Sequence, residues 1–389
     1  MTITQLTHHD LDGYGAATVV GAFAAVGRTV HVSRYADVGP VVEAELGRLR
    51  RAAEPETLIL TDLGLEPVAV TFIKNFVALN AKRGPERGHR LIVLDHHASS
   101  LDQLAAGGLT PVDAPAPDAP GLKQAATDDP LVTVLIDDSR CATRLAYDHR
   151  ALYAGTTPDE TTAAALPAFV AAVDTVDLWR KDDPGFTRAL VLDEAFWDNV
   201  SGFIPLAHPW HDRFVGRLLL GLATALGAGA TPAELEREVG PIRLGVLDAM
   251  LAGEPGDDPN LTARMRLAPV LARAPELFAR LRGGAKLSFG LDAGTFQRVS
   301  DAIMASGDAP LVINLQRSGS MSFRSIDGSA LTAARKFGGG GHVDAAGGRL
   351  LGGPATSLAD AVKQVEAILD PPAPDLSNSP FAALRGFKA

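Results

Sequence analysis

Two short runs constrain this chain more than any other feature: TLILT at Thr57–Thr61 and RLIVL at Arg90–Leu94. Each has an unbroken apolar interior, Leu58–Leu60 and Leu91–Leu94, so a strand built from it is apolar on both faces. Such strands need helices above and below, which is the arrangement of a parallel sheet assembled from βαβ units. Ile3–Thr7, Thr29–Tyr35 and Leu131–Ile136 read as further strands. Helical patterns run over Gly13–Val26, Val41–Ala53, Pro67–Lys82, Arg140–Tyr153 and Thr161–Val176. The expected fold class is therefore α/β, with a parallel-sheet N-terminal domain. In open sheets of this type ligands sit beyond the carboxyl ends of the strands, so the residues that follow each run matter most.

Beyond this domain the pattern changes. Residues 198–285 read as a helical linker region, broken at Gly227–Pro232 and Gly253–Pro259. A second, smaller α/β domain is expected over 286–370, carrying KLSFGL, the helical TFQRVSDAIMAS, then PLVINLQ and SMSFRSI. Residues 371–389 read as a loose tail. Within the first domain, taken as 1–197, the Pro-, Ala- and Gly-rich stretch Asp102–Asp129 reads as a loop excursion. No internal repeat is visible.

Charge and cysteine content narrow the function classes. Thirty-six basic against forty-six acidic residues give a net charge of −10. A protein held to duplex nucleic acid by its overall field is usually basic. Any nucleic-acid contact here is expected to be local, or to run through metal ions that offset the acid. The one cysteine, Cys141, rules out an intrachain disulfide. No basic, apolar, small-residue leader opens the chain, and the longest apolar stretch, Leu218–Ala230, is too short to span a bilayer. The expectation is a cytoplasmic protein with no membrane partner.

Acidic and histidine residues gather where the strands should end. His8-His9-Asp10-Leu11-Asp12 follows the first run, Asp62 follows TLILT, and Asp95-His96-His97 follows RLIVL. Asp174 and Asp177 close the Thr161 helix. Aspartate after a strand is also an ordinary helix cap or turn residue. If the three strands are parallel neighbours, these clusters converge on one edge, and mixed imidazole and carboxylate donors suit a divalent transition metal. A calcium loop starting at Asp10 fails, because the position for its bidentate Glu is Gly21. Far along the chain stands GGGGHVDAAGG, Gly338–Gly348. Its glycines let backbone N–H groups approach an anion, although a glycine run is also a common turn. It lacks the GK[ST] of a P-loop. Upstream, Arg324 lies in the alternating strand SMSFRS, where it is either a phosphate contact or a solvated charge.

The HxDxDG of His8, Asp10, Asp12 and Gly13, the strand-end Asp62, the triplet Asp95-His96-His97 and the GGGGHxxAAG run together resemble the DHH phosphoesterase superfamily. More narrowly, they are similar to the branch with a GGGH-type, DHH-associated C-terminal domain. That branch includes nanoRNases, cyclic-di-AMP phosphodiesterases, enzymes acting on 3′-phosphoadenosine 5′-phosphate and RecJ-type exonucleases. The motifs occur in order across residues 1–370.

The resemblance implies a Mn²⁺-dependent phosphodiesterase with two ions, Mg²⁺ or Co²⁺ being alternatives. It hydrolyses short RNA or short single-stranded DNA, or dinucleotides, to mononucleotides by two-metal in-line attack. His8 and Asp10 would hold one ion, Asp12 and His96 the other, and Asp62 would bridge. Asp177, in DLW, fits the last acidic ligand, with Asp174 in reserve. Asp95 would support the site from behind, and His97 would contact the scissile phosphate. Arg324, Gly339, Gly340, Gly341 and His342 would bind the substrate, the glycine loop and its histidine taking the nucleotide end. A homodimer is implied by resemblance only. Where relatives carry a Ser-Ala or Ser-Gly pair at one helix start, this chain has Cys141-Ala142 and lacks the hydroxyl. The same residues would serve a cyclic-di-AMP phosphodiesterase or a 3′-phosphoadenosine 5′-phosphate phosphatase. A pyrophosphatase of the superfamily would lack the GGGH run. A non-catalytic nucleic-acid-binding protein is the alternative of another class, and a degraded ligand set would mark it.

Overall fold

The computed structural model describes residues 2–114 and 119–371. Most of the expected tail, 372–389, and residues 115–118 of the expected excursion lie outside the described residues. The chain divides into two compact units: Met1–Val200 with Asp212–Met250, and Ser201–His211 with Leu251–Ala389.

In the first unit strand and helix alternate as the apolar runs require: β1 (Thr2–His8), α1 (Leu11–Phe23), β2 (Val26–Val32), α2 (Tyr35–Leu49), β3 (Glu56–Thr61), α3 (Pro67–Arg83) and β4 (Arg90–Asp95). The stretch expected to be a loop instead holds α4 (Ala98–Ala106) and a small hairpin of β5 (Pro111–Asp113) and β6 (Lys123–Ala125). Three-residue strands leave no periodic signal, and these form only by pairing at a sheet edge. Then come β7 (Val132–Ile136), α5 (Ala142–Asp148), α6 (Glu160–Asp177), α7 (Phe186–Asn199), α8 (His211–Gly227) and α9 (Pro232–Leu251). The last two fall in the stretch read as a linker.

The sheet order is β2-β1-β3-β4-β7-β6-β5. The first five strands are parallel, and β6 and β5 add an antiparallel edge. From Thr57 through Thr61 and from Leu91 through Asp95 every residue is buried, as expected for strands covered twice. One face packs on α2, α3 and α4 through Val42, Leu46, Ile73, Phe76 and Leu104. The other face carries α1 and α5. Gly15 makes the α1–α5 approach: a Cβ there would lie 2.4 Å from Thr143 Oγ1.

The second unit begins its regular structure with α10 (Ala263–Ala272), β8 (Phe278–Arg280) and β9 (Lys286–Phe289). It continues through α11 (Ala293–Ala305), β10 (Leu311–Leu315), β11 (Ser320–Ser325), α12 (Ser329–Arg335), β12 (Gly340–Gly341), β13 (Ala345–Arg349) and α13 (Leu358–Leu369). Its sheet order is β12-β13-β11-β10-β9-β8. The fold class is thus mixed α/β with two sheets. No helix among the described residues is long and apolar enough to cross a membrane.

Candidate metal centre

Strand order decides where the site lies. β1 is flanked by β2 on one side and β3 on the other. The chains leaving β1 and β3 therefore turn to opposite faces, which opens a crevice at the carboxyl ends of these strands. His8 ends β1, Asp62 follows β3, and Asp95, His96 and His97 come at the end of the next strand, β4. Asp177 closes α6 beside them.

The first motif spans the end of a strand and the start of a helix. After His8 the chain turns straight into a helix. Asp10 is the N-cap of α1, with Oδ1 accepting from Gly13 N at 2.9 Å. Asp12 sits inside the first turn. Gly13 is required by that tight turn, since a Cβ there would lie 2.1 Å from the His8 carbonyl oxygen. His9 points away, its ring edge-on to Tyr14.

Three ligand-type groups result, each with donor atoms within 4.8 Å of one another: His8-Asp10-Asp62, Asp12-His96-Asp177 and Asp62-His96-His97. His8 Nδ1 is 2.5 Å from Asp10 Oδ2 and 3.7 Å from Asp62 Oδ2. His96 Nε2 is 3.2 Å from Asp62 Oδ1 and 3.7 Å from both Asp12 Oδ2 and Asp177 Oδ2. The two oxygens of Asp62 thus face different groups. Asp62 also holds a left-handed backbone, φ 56°, which for a non-glycine residue is a sparsely populated conformation often found at functional sites. Asp95 stays behind: Oδ1 is 2.7 Å from His97 Nδ1 and Oδ2 accepts from Ser100 Oγ at 2.5 Å.

The donor set fits a divalent cation. Asp62 Oδ2 is buried and has no hydrogen-bond partner, a costly state for a carboxylate. Burial, then the charges of Asp12 and Asp10, push the Asp62 carboxyl well up. The same three causes push Asp177 up to about 8. Burial also raises Asp12, against the opposing charge of His96. For Asp10 burial is outweighed by the hydrogen bond and charge of His8, which hold it down at about 2. Positive charge placed among these groups relieves the repulsion.

A pH prediction follows for the chelator-treated protein. Asp177 keeps a proton in the folded state between about 4 and 8, where the unfolded state has lost it. The folded state then binds more protons, so stability falls as pH rises through that window. Allowing for solvent at the partly open Asp177, the loss is about 1–2 kcal/mol, or about 1–4 °C in Tm between pH 5 and 8. Thermal melts with Mn²⁺ should lack this decline. A chelated protein that gains stability over the same range would contradict the charge assignment.

The start of α5 answers the missing hydroxyl of Cys141-Ala142. Asp12 accepts from Ala142 N and Thr143 N, both at 2.7 Å, and Asp174 accepts from Cys141 N at 2.8 Å. The anion at this helix end is supplied by the protein itself. Asp174 is further held by Arg180 Nη1 at 2.6 Å, so of the two candidate aspartates it is Asp177 that joins a ligand group. Cys141 is fully buried. Burial, then Asp12 and Asp174, push its thiol well above the ordinary range.

In the second unit the glycine run is a hairpin rather than an open loop. β12 forms the sheet edge against β13, with Gly341 opposite Ala346. Gly339 and Gly341 are needed for close approach, since a Cβ would meet Gly347 O at 1.9 Å and Ala345 O at 2.7 Å. Gly340 is exposed and has open space around it. His342, also exposed, turns the hairpin, with His342 N donating to Ala345 O at 2.8 Å. Arg324 on β11 lies opposite Ala345. Its Nε donates to Gln297 Oε1 at 2.7 Å and its guanidinium stands 5.9 Å from the Phe296 ring centroid. A positioned, half-buried arginine replaces the solvated charge that spacing alone allowed.

Sequence reasoning passed over several residues here. Tyr35, read as a strand end, opens α2 and brings its hydroxyl within 3.1 Å of His97 Nε2. Ser100 holds Asp95. Asp193 and Trp179 line a small cavity with Asp10, Asp12 and Asp177. None belongs to a local motif; only the DLW spelling drew attention to the tryptophan.

No family model matches the chain, and no curated protein matches its sequence. An uncharacterized protein from Helicobacter pylori G27 superposes with a TM-score of 0.68 at 18% identity, over 95% of this chain and 99% of that one. This likeness shows a shared fold along nearly the whole length. An exopolyphosphatase-related protein from Bacteroides fragilis aligns at 12% identity over 95% of this chain and 91% of that one, with a TM-score of 0.22. PggH, a pGpG-specific phosphodiesterase from Vibrio cholerae, aligns at 12% identity over 94% and 99%, with a TM-score of 0.27. Similarity at those last two scores bears no weight for the site.

Proposed function

We propose that this chain is a phosphodiesterase of the DHH superfamily that uses two Mn²⁺ ions to hydrolyse short oligonucleotides or dinucleotides. One observation carries the reading: the buried Asp62 turns one oxygen to His8 and Asp10 and the other to His96. A carboxylate shared by two imidazole–carboxylate groups is what a pair of bridged cations needs. His8, Asp10 and Asp62 would hold one ion, and Asp12, His96, Asp177 and Asp62 the other. Ions bound there would supply Lewis-acid polarisation of a phosphoryl group and a more acidic water. His97 is kept in place by Asp95 and Tyr35. The Asp95 hydrogen bond, opposed by burial, raises its pKa, favouring the protonated ring as a donor to a phosphate oxygen. In the second unit Arg324, the Gly339–Gly341 backbone and His342 would take the nucleotide end. An intact ligand set weighs against a non-catalytic binding protein.

The test offers short RNA, short single-stranded DNA, cyclic di-AMP, linear pApA and 3′-phosphoadenosine 5′-phosphate to the protein with Mn²⁺ and with chelator. Cleavage of the short linear substrates is expected with Mn²⁺, falling at least about a hundredfold with chelator. Preference for cyclic di-AMP or 3′-phosphoadenosine 5′-phosphate would reassign the substrate within the same chemistry. No metal-dependent cleavage of any substrate would end the enzyme reading.

A further inference from the structure

The residue after Leu178 is placed where its own chemistry disfavours it. Helix α6 ends in a Schellman arrangement: Trp179 N donates to Val176 O at 3.1 Å and Arg180 N to Thr175 O at 2.9 Å. In this motif the residue after the cap takes a left-handed backbone, and glycine is the usual occupant. Here it is tryptophan, with φ 51°. A bulky side chain in that region is strained, and burial does not compensate, because Trp179 remains 55% exposed. The ring is nevertheless positioned. Phe186 packs edge-on at 5.2 Å between centroids, and Lys181 Nζ stands 5.6 Å from the ring centre. It lines a cavity of about 210 Å³ together with Asp10, Asp12, Asp177 and Asp193. An open aromatic face therefore adjoins the carboxylates of the candidate metal centre.

We propose that Trp179 is the platform on which the base next to the scissile phosphate stacks, so that the site selects base-bearing nucleotides over bare phosphate chains. This rests on the phosphodiesterase reading above. A polyphosphate offers nothing for an aromatic face, whereas every nucleobase has a π-face, and stacking is tolerant of base identity. Strain of this kind clusters at functional sites, and here it falls on a residue that lines the cavity shared with the carboxylates.

The experiment compares wild type, Trp179→Gly and Trp179→Phe on a dinucleotide and on the same dinucleotide made abasic at either position. Trp179→Gly is expected to raise KM for the intact dinucleotide about 10- to 100-fold with kcat within about threefold. Trp179→Phe should restore most of the affinity. On one of the two abasic substrates wild type and Trp179→Gly should be equal. Trp179→Gly should also melt higher than wild type, because glycine relieves the left-handed residue; a tryptophan kept for structure would give a lower Tm. Equal KM values on the intact dinucleotide, or an equal loss on every substrate, would overturn the platform while leaving the phosphodiesterase reading in place. Should wild type cleave nothing, AMP titration of tryptophan fluorescence decides: quenching seen in wild type and absent in Trp179→Phe upholds the aromatic subsite, and no difference ends it.

Discussion

Asp62→Asn is expected to lower metal-dependent phosphodiester hydrolysis about 10⁴-fold, roughly 5.5 kcal/mol of transition-state stabilisation. The substitution keeps shape and removes the charge shared by two ligand groups. Neither group can then be completed, so the loss should fall on kcat/KM with every substrate and should not be rescued by raising Mn²⁺ within a soluble range. Stability should move the other way. The carboxylate is buried, its Oδ2 has no hydrogen-bond partner, and burial, then its acidic neighbours, push its pKa well up. The metal-free variant should therefore melt at or above the metal-free wild type, while the rise in Tm on adding Mn²⁺, ordinary for a ligand that binds only the native state, should shrink or vanish. Activity within about tenfold of wild type would show that Asp62 does not bridge.

The second large effect is expected at His96. Its Nε2 belongs to two of the three ligand groups, so His96→Ala should cost about 10³-fold in activity, roughly 4 kcal/mol. One of two Mn²⁺ equivalents should disappear from a calorimetric titration. Asp174→Asn is the control. Asp174 is occupied by Cys141 N and Arg180, so this change should leave both equivalents in place and act on Tm instead. Two equivalents retained in His96→Ala would put the second ion elsewhere.

What was legible in the chain follows from range. TLILT and RLIVL hold three and four consecutive apolar residues between helical patterns, so tertiary context had little room to override them. His8, Asp10, Asp12, Asp62 and His96 could be collected because each sits within a few residues of such a run. Tyr35 could not, since it reaches His97 across 62 positions of sequence. The glycine run was legible as a place of close backbone approach, but not as an edge hairpin, because the demand for glycine comes from the opposing Gly347 and Ala345 carbonyls. β5 and β6 are too short to show any alternation. Trp179 carried its message in a dihedral angle, which residue type alone does not disclose.

The buried cysteine has a practical side. Cys141 is the chain's one thiol, enclosed at the start of α5, and burial, then the charges of Asp12 and Asp174, favour its protonated form. Thiolates, not thiols, react with alkylating agents and oxidants. The native protein should need no reductant, and a cysteine introduced at any exposed position would be its single reactive handle. A fluorophore or spin label could thus be attached at one chosen spot without first mutating the natural residue.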